Sequence, residues 1–372
     1  VTACFVAAGT VVLACANGAN DVAKAVATLV GSRTATSQQA RIWGAICAGA
    51  GAIAAVAVAG AMGTTIAGSF PPAGASRSSA VAMAPLLGSA AWVWLATRCG
   101  LPVSTTHAIV GALVGTSLAE AGSGGVAWSA MGRSVVLPLL LSPAAALVST
   151  WIAVRAVRTA RGAGIPAACV CVAAVPAPRW QPAGGAFLAT GSGLPAWTVA
   201  TGSADECRRR FPDALAANVS HLHWVSSGAV GFARSLNDAP KLAALAAWAL
   251  APAHAHSPPP WLFALVAGAM LAGGLAAGGR VTRRLAWEIT PLDDRDGLVA
   301  NLVTAALVAL GAVAGLPMST THVSAGSLAG VGTARGAVAR EALRDIALAW
   351  LATVPAAAGF AALAIGLARA WF

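Results

Sequence analysis

Only two lysines occur in this chain, and each stands three residues after an Asn-Asp pair: Asn20-Asp21-Val-Ala-Lys24 and Asn237-Asp238-Ala-Pro-Lys241. A second phrase follows each at similar distance: Gly100-Leu-Pro-Val-Ser104-Thr105-Thr106-His107 and Gly315-Leu-Pro-Met-Ser319-Thr320-Thr321-His322. Asp238 comes 217 residues after Asp21, and His322 comes 215 after His107. Two polar constellations duplicated in order and register point to one site built from two halves.

In the first phrase, a carboxylate beside an amide, with backbone carbonyls freed at a helix break, is a hard-oxygen set suited to Na⁺. A buried carboxylate equally suits a proton carrier. Asn20, Asp21, Asn237 and Asp238 are therefore the candidate coupling-ion or proton residues, with Na⁺ admissible at Asp21 and Asp238. Lys24 and Lys241 shift the balance, because at i, i+3 on a helix each reaches its own Asp. Such a pair cancels the charge that Na⁺ would meet. Three roles stay open for these lysines: a structural ion pair, a contact to an anion, or a pair that opens when the acid takes a proton.

The second phrase reads as a helix start. Pro precedes it, and Ser and Thr are strong N-caps. The N-terminus of a helix offers unpaired N–H groups and the positive end of its dipole, which together bind phosphate-like anions. Ser104, Thr105, Thr106, Ser319, Thr320 and Thr321 are the candidate substrate-binding residues, two helix ends surrounding one tetrahedral oxyanion with neutral donors. His107 and His322 follow the hydroxyls and fit either a proton relay or a hydrogen-bonding packer. Arg234, inside an apolar run four residues before Asp238, either pairs with an acid or faces the cavity; its first-half equivalent is Asn17. His221, His223, His254 and His256 read as interface or loop residues.

These residues must be positioned in an oily chain. Of 372 residues 58% are hydrophobic and 9% charged, against about a quarter charged in a soluble domain. With a mean hydropathy of +0.76 and repeated apolar runs, this composition defines a multi-span membrane protein. Ala and Gly dominate the runs, as close helix packing in lipid requires. The net charge of +11 is met by arginine at span ends, so no nucleic-acid partner is expected. Seven cysteines are scattered without zinc spacing, so neither a resident metal nor a cofactor is expected. The chain opens on an apolar stretch at Val1 without the pattern of a cleaved signal peptide.

Apolar segments at 2–16, 22–31, 42–62, 80–98, 108–119 and 134–153 are answered by 222–233, 241–250, 261–279, 298–314, 323–332 and 345–371. In both halves the pattern predicts a helix that breaks at Asn-Asp and a second break at Gly-Leu-Pro. Segments beside the breaks are too short to span the hydrocarbon alone, so broken or re-entrant helices follow. The chain divides into transmembrane repeat 1 (1–154), an extramembrane Pro/Gly/Arg-rich linker (155–213) and transmembrane repeat 2 (214–372).

Loop charges orient the halves. Residues 32–41 carry Arg33 and Arg41, whereas 251–260 carry no Lys or Arg. Residues 63–79 hold only Arg77, whereas 280–296 hold Arg280, Arg283, Arg284 and Arg295. Opposite bias in equivalent loops means opposite insertion. The expected fold is an all-α polytopic membrane protein with two inverted-topology repeats, whose broken or re-entrant helices meet at mid-bilayer.

Carried by Gly18-Ala-Asn-Asp-Val-Ala, Asn237-Asp238 and both Gly-Leu-Pro-x-Ser-Thr-Thr-His phrases, the sequence resembles the inorganic phosphate transporter family, the PiT type of phosphate permease. The resemblance covers both repeats and leaves out the linker. It implies secondary transport of inorganic phosphate driven by Na⁺ or H⁺, with the Asp motifs carrying the coupling ion and the Ser/Thr motifs the anion. Two departures matter. The family commonly has Asn where this chain has Lys24 and Lys241, and the second repeat reads Ser-Leu-Asn-Asp-Ala-Pro rather than a glycine-rich phrase. The lysines favour H⁺ over Na⁺, so the expectation is a phosphate symporter coupled to H⁺; related permeases carry sulfate, so a sulfate permease of the same fold is the first alternative and a Na⁺-coupled phosphate symporter the second. It is not an enzyme, and it resides in a bilayer of the bacterial inner (plasma) membrane type. Alanine-rich helix faces allow a homodimer without requiring one.

Overall fold

The computed structural model describes residues 2–67, 79–126, 128–132, 136–162, 169–183, 186–202, 209–210, 215–251 and 257–371. The first half contains α1 (Thr2–Ala25), α2 (Ala27–Gly31), α3 (Ser37–Ala54), α4 (Ala59–Ala67), α5 (Ser79–Arg98), α6 (Thr105–Ala121), α7 (Trp128–Met131) and α8 (Leu137–Gly162). The second half contains α9 (Val219–Leu250), α10 (Pro260–Ala276), α11 (Gly279–Trp287), α12 (Asp294–Val313), α13 (Thr320–Arg335) and α14 (Arg340–Trp371). Between them β1 (Cys169–Ala183) pairs antiparallel with β2 (Ala186–Gly202) on one side and β3 (Leu215–Asn218) on the other. β1 and β2 thus lie inside the Pro/Gly/Arg-rich stretch 155–213, and β3 follows just beyond it. His254, His256 and Cys207 lie outside the described residues.

Among the described residues, six helical stretches are long and apolar enough to cross a membrane, and a seventh arises if α10 and α11, bent by 69°, count as one span. The outer surface is oily: Leu140, Leu310, Leu351 and Leu363 are all exposed. The polar side chains of the duplicated phrases are buried instead, apart from the partly buried His107. An apolar exterior around a charged centre is the reverse of a soluble domain and fits a lipid surround.

Helix contacts are exchanged between the halves. α1 packs on α10 and α9 on α3; α6 packs on α14 and α13 on α8; α1 lies along α5 and α9 along α12. Small residues permit the approach. A Cβ at Gly111 or Gly115 would fall 2.3 Å and 2.2 Å from carbonyl oxygens of α14, and one at Gly326 or Gly330 would fall 2.4 Å and 2.6 Å from carbonyl oxygens of α8. Gly-x-x-x-Gly at matched positions is thus the close-packing face of both helices.

The breaks at Gly-Leu-Pro form as expected. Gly100 (φ 72°) and Gly315 (φ 67°) adopt the left-handed conformation that ends each preceding helix. Each hairpin, α5–α6 and α12–α13, resumes after an N-cap: Ser104 Oγ accepts from His107 N (3.3 Å), and Ser319 Oγ accepts from His322 N (3.2 Å). The expected breaks at Asn-Asp do not form. α1 continues through Asn20-Asp21 and is interrupted only at Val26, after Lys24. α9 runs unbroken through Asn237-Asp238 and contains Pro240. Pro240 lacks the N–H that would close onto the Leu236 carbonyl, yet the surrounding packing keeps the helix continuous. Both Asn-Asp pairs are buried; the asparagines bond outward to the hairpins and the aspartates to basic and amide side chains, instead of competing for their own backbone.

Candidate functional site

The two hairpin tips meet beside the Asn-Asp segments of α1 and α9. Asn20 clamps the first tip. Its Nδ2 donates to Thr97 Oγ1 (2.8 Å) and the Leu101 carbonyl (3.1 Å), and its Oδ1 accepts from Val103 N (3.3 Å). Asn237 does the same for the second tip through Nδ2 to the Met318 carbonyl at 3.0 Å. Each Asn-Asp helix therefore holds the hairpin of its own half.

The lysines then join the halves. Lys24 Nζ lies 2.5 Å from Asp21 Oδ1, 2.8 Å from the Val103 carbonyl and 2.6 Å from Thr321 Oγ1. Lys241 Nζ lies 2.8 Å from Asp238 Oδ1, 3.1 Å from the Met318 carbonyl and 2.7 Å from Thr106 Oγ1. Each ammonium thus contacts its own acid, its own hairpin tip and a hydroxyl of the opposite hairpin. The Asp–Lys pairing read from the i, i+3 spacing is present in both copies. The reach across to the other half has no signature in either motif.

Two residues break the symmetry. Arg234 is 1% exposed. Its Nη2 donates to Asp21 Oδ1 (3.0 Å), in the other half, and its Nη1 donates to the Thr320 carbonyl (2.9 Å) and Ser324 Oγ (2.6 Å). Its Nε is buried without a hydrogen-bond partner among the described residues. Asn17, at the equivalent place on α1, donates through Nδ2 to Thr105 Oγ1 (2.8 Å), Asp238 Oδ2 (3.2 Å) and Asp21 Oδ2 (3.3 Å). One amide nitrogen therefore touches both carboxylates, which puts the acids of the two halves side by side. Each acid presents Oδ1 to its lysine and Oδ2 to Asn17.

The hydroxyls divide by task. Ser104 and Ser319 serve as N-caps. Thr321 Oγ1 donates to the Val103 carbonyl (2.8 Å) while accepting from Lys24, and Thr106 accepts from Lys241. Thr105 accepts from Asn17, and Thr320, 4% exposed, lies beside Arg234. The imidazoles of His107 and His322 meet with ring centroids 4.6 Å apart, and His322 contacts Trp350 in a tilted arrangement with centroids 3.8 Å apart. His107 Nδ1 is buried without a partner among the described residues. His223, expected at an interface or in a loop, is instead fully buried in α9, with Nδ1 3.3 Å from Asp294 Oδ1. It lies away from the two motifs. Among the described residues, no group of three or more His, Cys, Asp or Glu side chains could hold a metal.

Asn17, Thr97 and Ser324 also belong to the site, although neither duplicated phrase includes them. Asn17 and Ser324 flank the duplicated phrases and Thr97 precedes Arg98, and a polar residue so placed is a weak signal until a partner from another helix gives it meaning. A cleft of about 550 Å³, lined by Trp94, Thr97, Arg98, Ala276, Gly278 and Arg280 among others, opens beside the Asn20 contact. Arg98 and Arg280 give its mouth positive charge, and Arg280 Nη1 bonds the Arg98 carbonyl at 2.5 Å.

Fold and site together define a polytopic α-helical membrane protein with a buried, charged centre assembled from two hairpins and two Asn-Asp helices. The profile of the phosphate transporter family matches residues 17–361. A Pyrococcus horikoshii protein named "Putative phosphate permease" is 31% identical over 389 residues, spanning 93% of this chain and 92% of that one. A Mycobacterium tuberculosis protein named "Probable low-affinity inorganic phosphate transporter" is 28% identical over 94% of this chain and 74% of its own length. A solved structure titled "The sodium-dependent phosphate transporter" superposes with a TM-score of 0.76 at 21% identity, covering 100% of both chains, and so shares the fold. The chain belongs to the phosphate transporter family and is an integral membrane transport protein.

Proposed function

We propose that the chain is a secondary active transporter of inorganic phosphate that moves the anion together with protons. The observation that carries this reading is the state of Arg234. The Arg234 guanidinium sits at the N-terminus of α13 with Nε unused. Around it three basic side chains (Lys24, Arg234, Lys241) face two acidic ones (Asp21, Asp238), leaving one positive charge in excess. A buried cation without its full complement of partners is costly, and a small oxyanion at the paired helix ends would supply them. Thr105 and Thr320, at the first positions of α6 and α13, are the hydroxyls placed to receive it.

The proton has its own place. With Oδ1 of each acid held by a lysine, the two Oδ2 atoms share one amide donor. Adjacent carboxyls favour holding a proton between them. Asp21 and Asp238 are therefore the proton-carrying pair, and Asn17 positions them. Asn17 Oδ1 and Asn237 Oδ1 are buried acceptors without a partner among the described residues. Hydrogen phosphate can donate to such an acceptor and sulfate cannot, which favours phosphate over sulfate as substrate.

The exchanged helix contacts support two halves related by a pseudo-twofold axis, and the reversed arginine bias of their loops supports opposite insertion in a plasma-type membrane. Residues 155–213 then form an extramembrane connection between repeats 1–154 and 214–372. The deciding experiment is uptake of radiolabelled phosphate by proteoliposomes under an imposed pH gradient, with unlabelled sulfate as competitor. Concentrative uptake that a protonophore collapses and sulfate leaves intact is expected. Uptake that only equilibrates, or that sulfate suppresses as well as phosphate does, would refute the reading.

A further inference from the structure

The three N–H bonds of a lysine ammonium are saturated by three acceptors, and both lysines here have three. In each half they are of the same kinds: one carboxylate oxygen, one main-chain carbonyl at a hairpin tip and one threonine hydroxyl from the opposite hairpin. The N···O distances run from 2.5 to 2.8 Å at Lys24 and from 2.7 to 3.1 Å at Lys241. Carboxylates and carbonyls freed where helices are interrupted are also the ligands a transporter offers to a sodium ion. A free sodium ion does not fit beside these groups, because the oxygens that would bind it are bonded to nitrogen. An anion is not served by these ammonium groups either, since each has its donors spent on the protein.

We propose that Lys24 and Lys241 are tethered cations occupying two symmetry-related seats for a small monovalent cation, so that this transporter works without sodium. Such a device deepens the proton-coupled reading above and rests on it. Each lysine does with a fixed charge what a coupling cation would do on arrival. It neutralises the acid, closes the hairpin tip of its own half and draws in the hydroxyl of the other. The ammonium is then tethered to the chain and cannot be exchanged for an ion from solution, so a sodium gradient has nothing to act upon. Protonation at the Oδ2 side of the acids is left as the means of driving the cycle. Arg234, with Nε unspent, remains the cation available to the anion.

The seats become testable when the ammonium is removed. Lys24→Asn and Lys241→Asn replace the charge by a shorter side chain with a neutral amide oxygen, itself a hard ligand. Binding of radioactive sodium to the purified protein, and phosphate uptake into proteoliposomes with and without a sodium gradient, should be measured for wild type, both single variants and the double variant. Wild type is expected to bind no sodium saturably and to take up phosphate at the same rate in sodium and in choline. Each single variant is expected to gain one saturable sodium site and the double variant two, with uptake becoming several-fold faster in sodium. Saturable sodium binding by wild type, or sodium-driven uptake by it, would overturn the proposal without touching phosphate transport. Variants that elute as monodisperse protein and bind no sodium would overturn it as well. Absence of phosphate uptake by wild type in every gradient would instead refute the functional reading. The wild-type measurements stand on their own if a variant does not fold.

Discussion

Lys24, on the first Asn-Asp helix, donates to the Thr321 hydroxyl of the second hairpin at 2.6 Å, although 297 residues separate them. Its counterpart Lys241 returns the contact to Thr106 at 2.7 Å. Together these bonds lace the two hairpin tips to each other's halves, so the centre forms only when both halves are in place. Every test of the site is therefore also a test of how the halves are joined.

The acids should be indispensable for driven transport. Asp21→Asn or Asp238→Asn is expected to reduce pH-gradient-driven phosphate uptake in proteoliposomes to the level of empty vesicles. The substitution removes the group that takes the proton while keeping its shape. Persistent concentrative uptake in both variants would exclude the carboxyl pair as the proton carrier.

Breaking one partner of a buried ion pair costs about 3–5 kcal/mol, whereas replacing both with apolar groups is often neutral. Lys241→Met alone should therefore lower the thermal midpoint of the purified protein markedly, and Asp238→Leu combined with Lys241→Met should recover most of the loss. Midpoints that simply add across the two substitutions would show that the 2.8 Å contact contributes no coupling.

Loss of Arg234 should weaken phosphate binding most. Arg234→Met removes a charge-assisted donor, worth about 1.5–3 kcal/mol, and with it the excess positive charge of the centre. A fall in affinity of about tenfold or more is expected from that magnitude, read by equilibrium binding of labelled phosphate. Thr105→Val and Thr320→Val each delete one neutral hydroxyl, worth about 0.5–1.5 kcal/mol and more against a charged partner. They should weaken the anion less than Arg234→Met does. The opposite ranking would move the anion away from α13.

At the hairpin tips, Gly100→Ala and Gly315→Ala place a Cβ where φ is 72° and 67°, at a cost of about 1–2 kcal/mol each. Gly315 is the harder case, because its added Cβ would also lie 2.9 Å from the Ala61 carbonyl oxygen. The Gly315 variant should lose more thermal stability than the Gly100 variant, whose new Cβ would meet Arg280 Cβ at 3.2 Å and no atom closer.

Along helix faces, Gly111→Leu and Gly326→Leu force a side chain against backbone oxygens 2.3 Å and 2.4 Å from the new Cβ. Overpacking of this kind costs about 1–3 kcal/mol or more. Reduced folded yield is expected for both, and equal yield would show that these contacts between halves yield readily.

The duplicated phrases were legible because their chemistry is local. Residue type and spacing alone fix an Asp–Lys pair at i, i+3, a serine that caps the helix it precedes, and a glycine that turns the chain out of one. Composition likewise fixed the membrane, since too few polar residues exist to cover this chain in water. The breaks expected at Asn-Asp did not form, because side-chain bonds to neighbouring hairpins and close helix packing outweigh local preference, even at Pro240. Which hydroxyl each lysine reaches, that Asn17 bridges both acids, and that Arg234 serves the acid of the other half were decided by tertiary structure alone. Those contacts join residues more than eighty positions apart, and no local pattern encodes the meeting of two helices. In a low-dielectric interior every charge must find a partner, so the packing of the halves determines which partner each one finds.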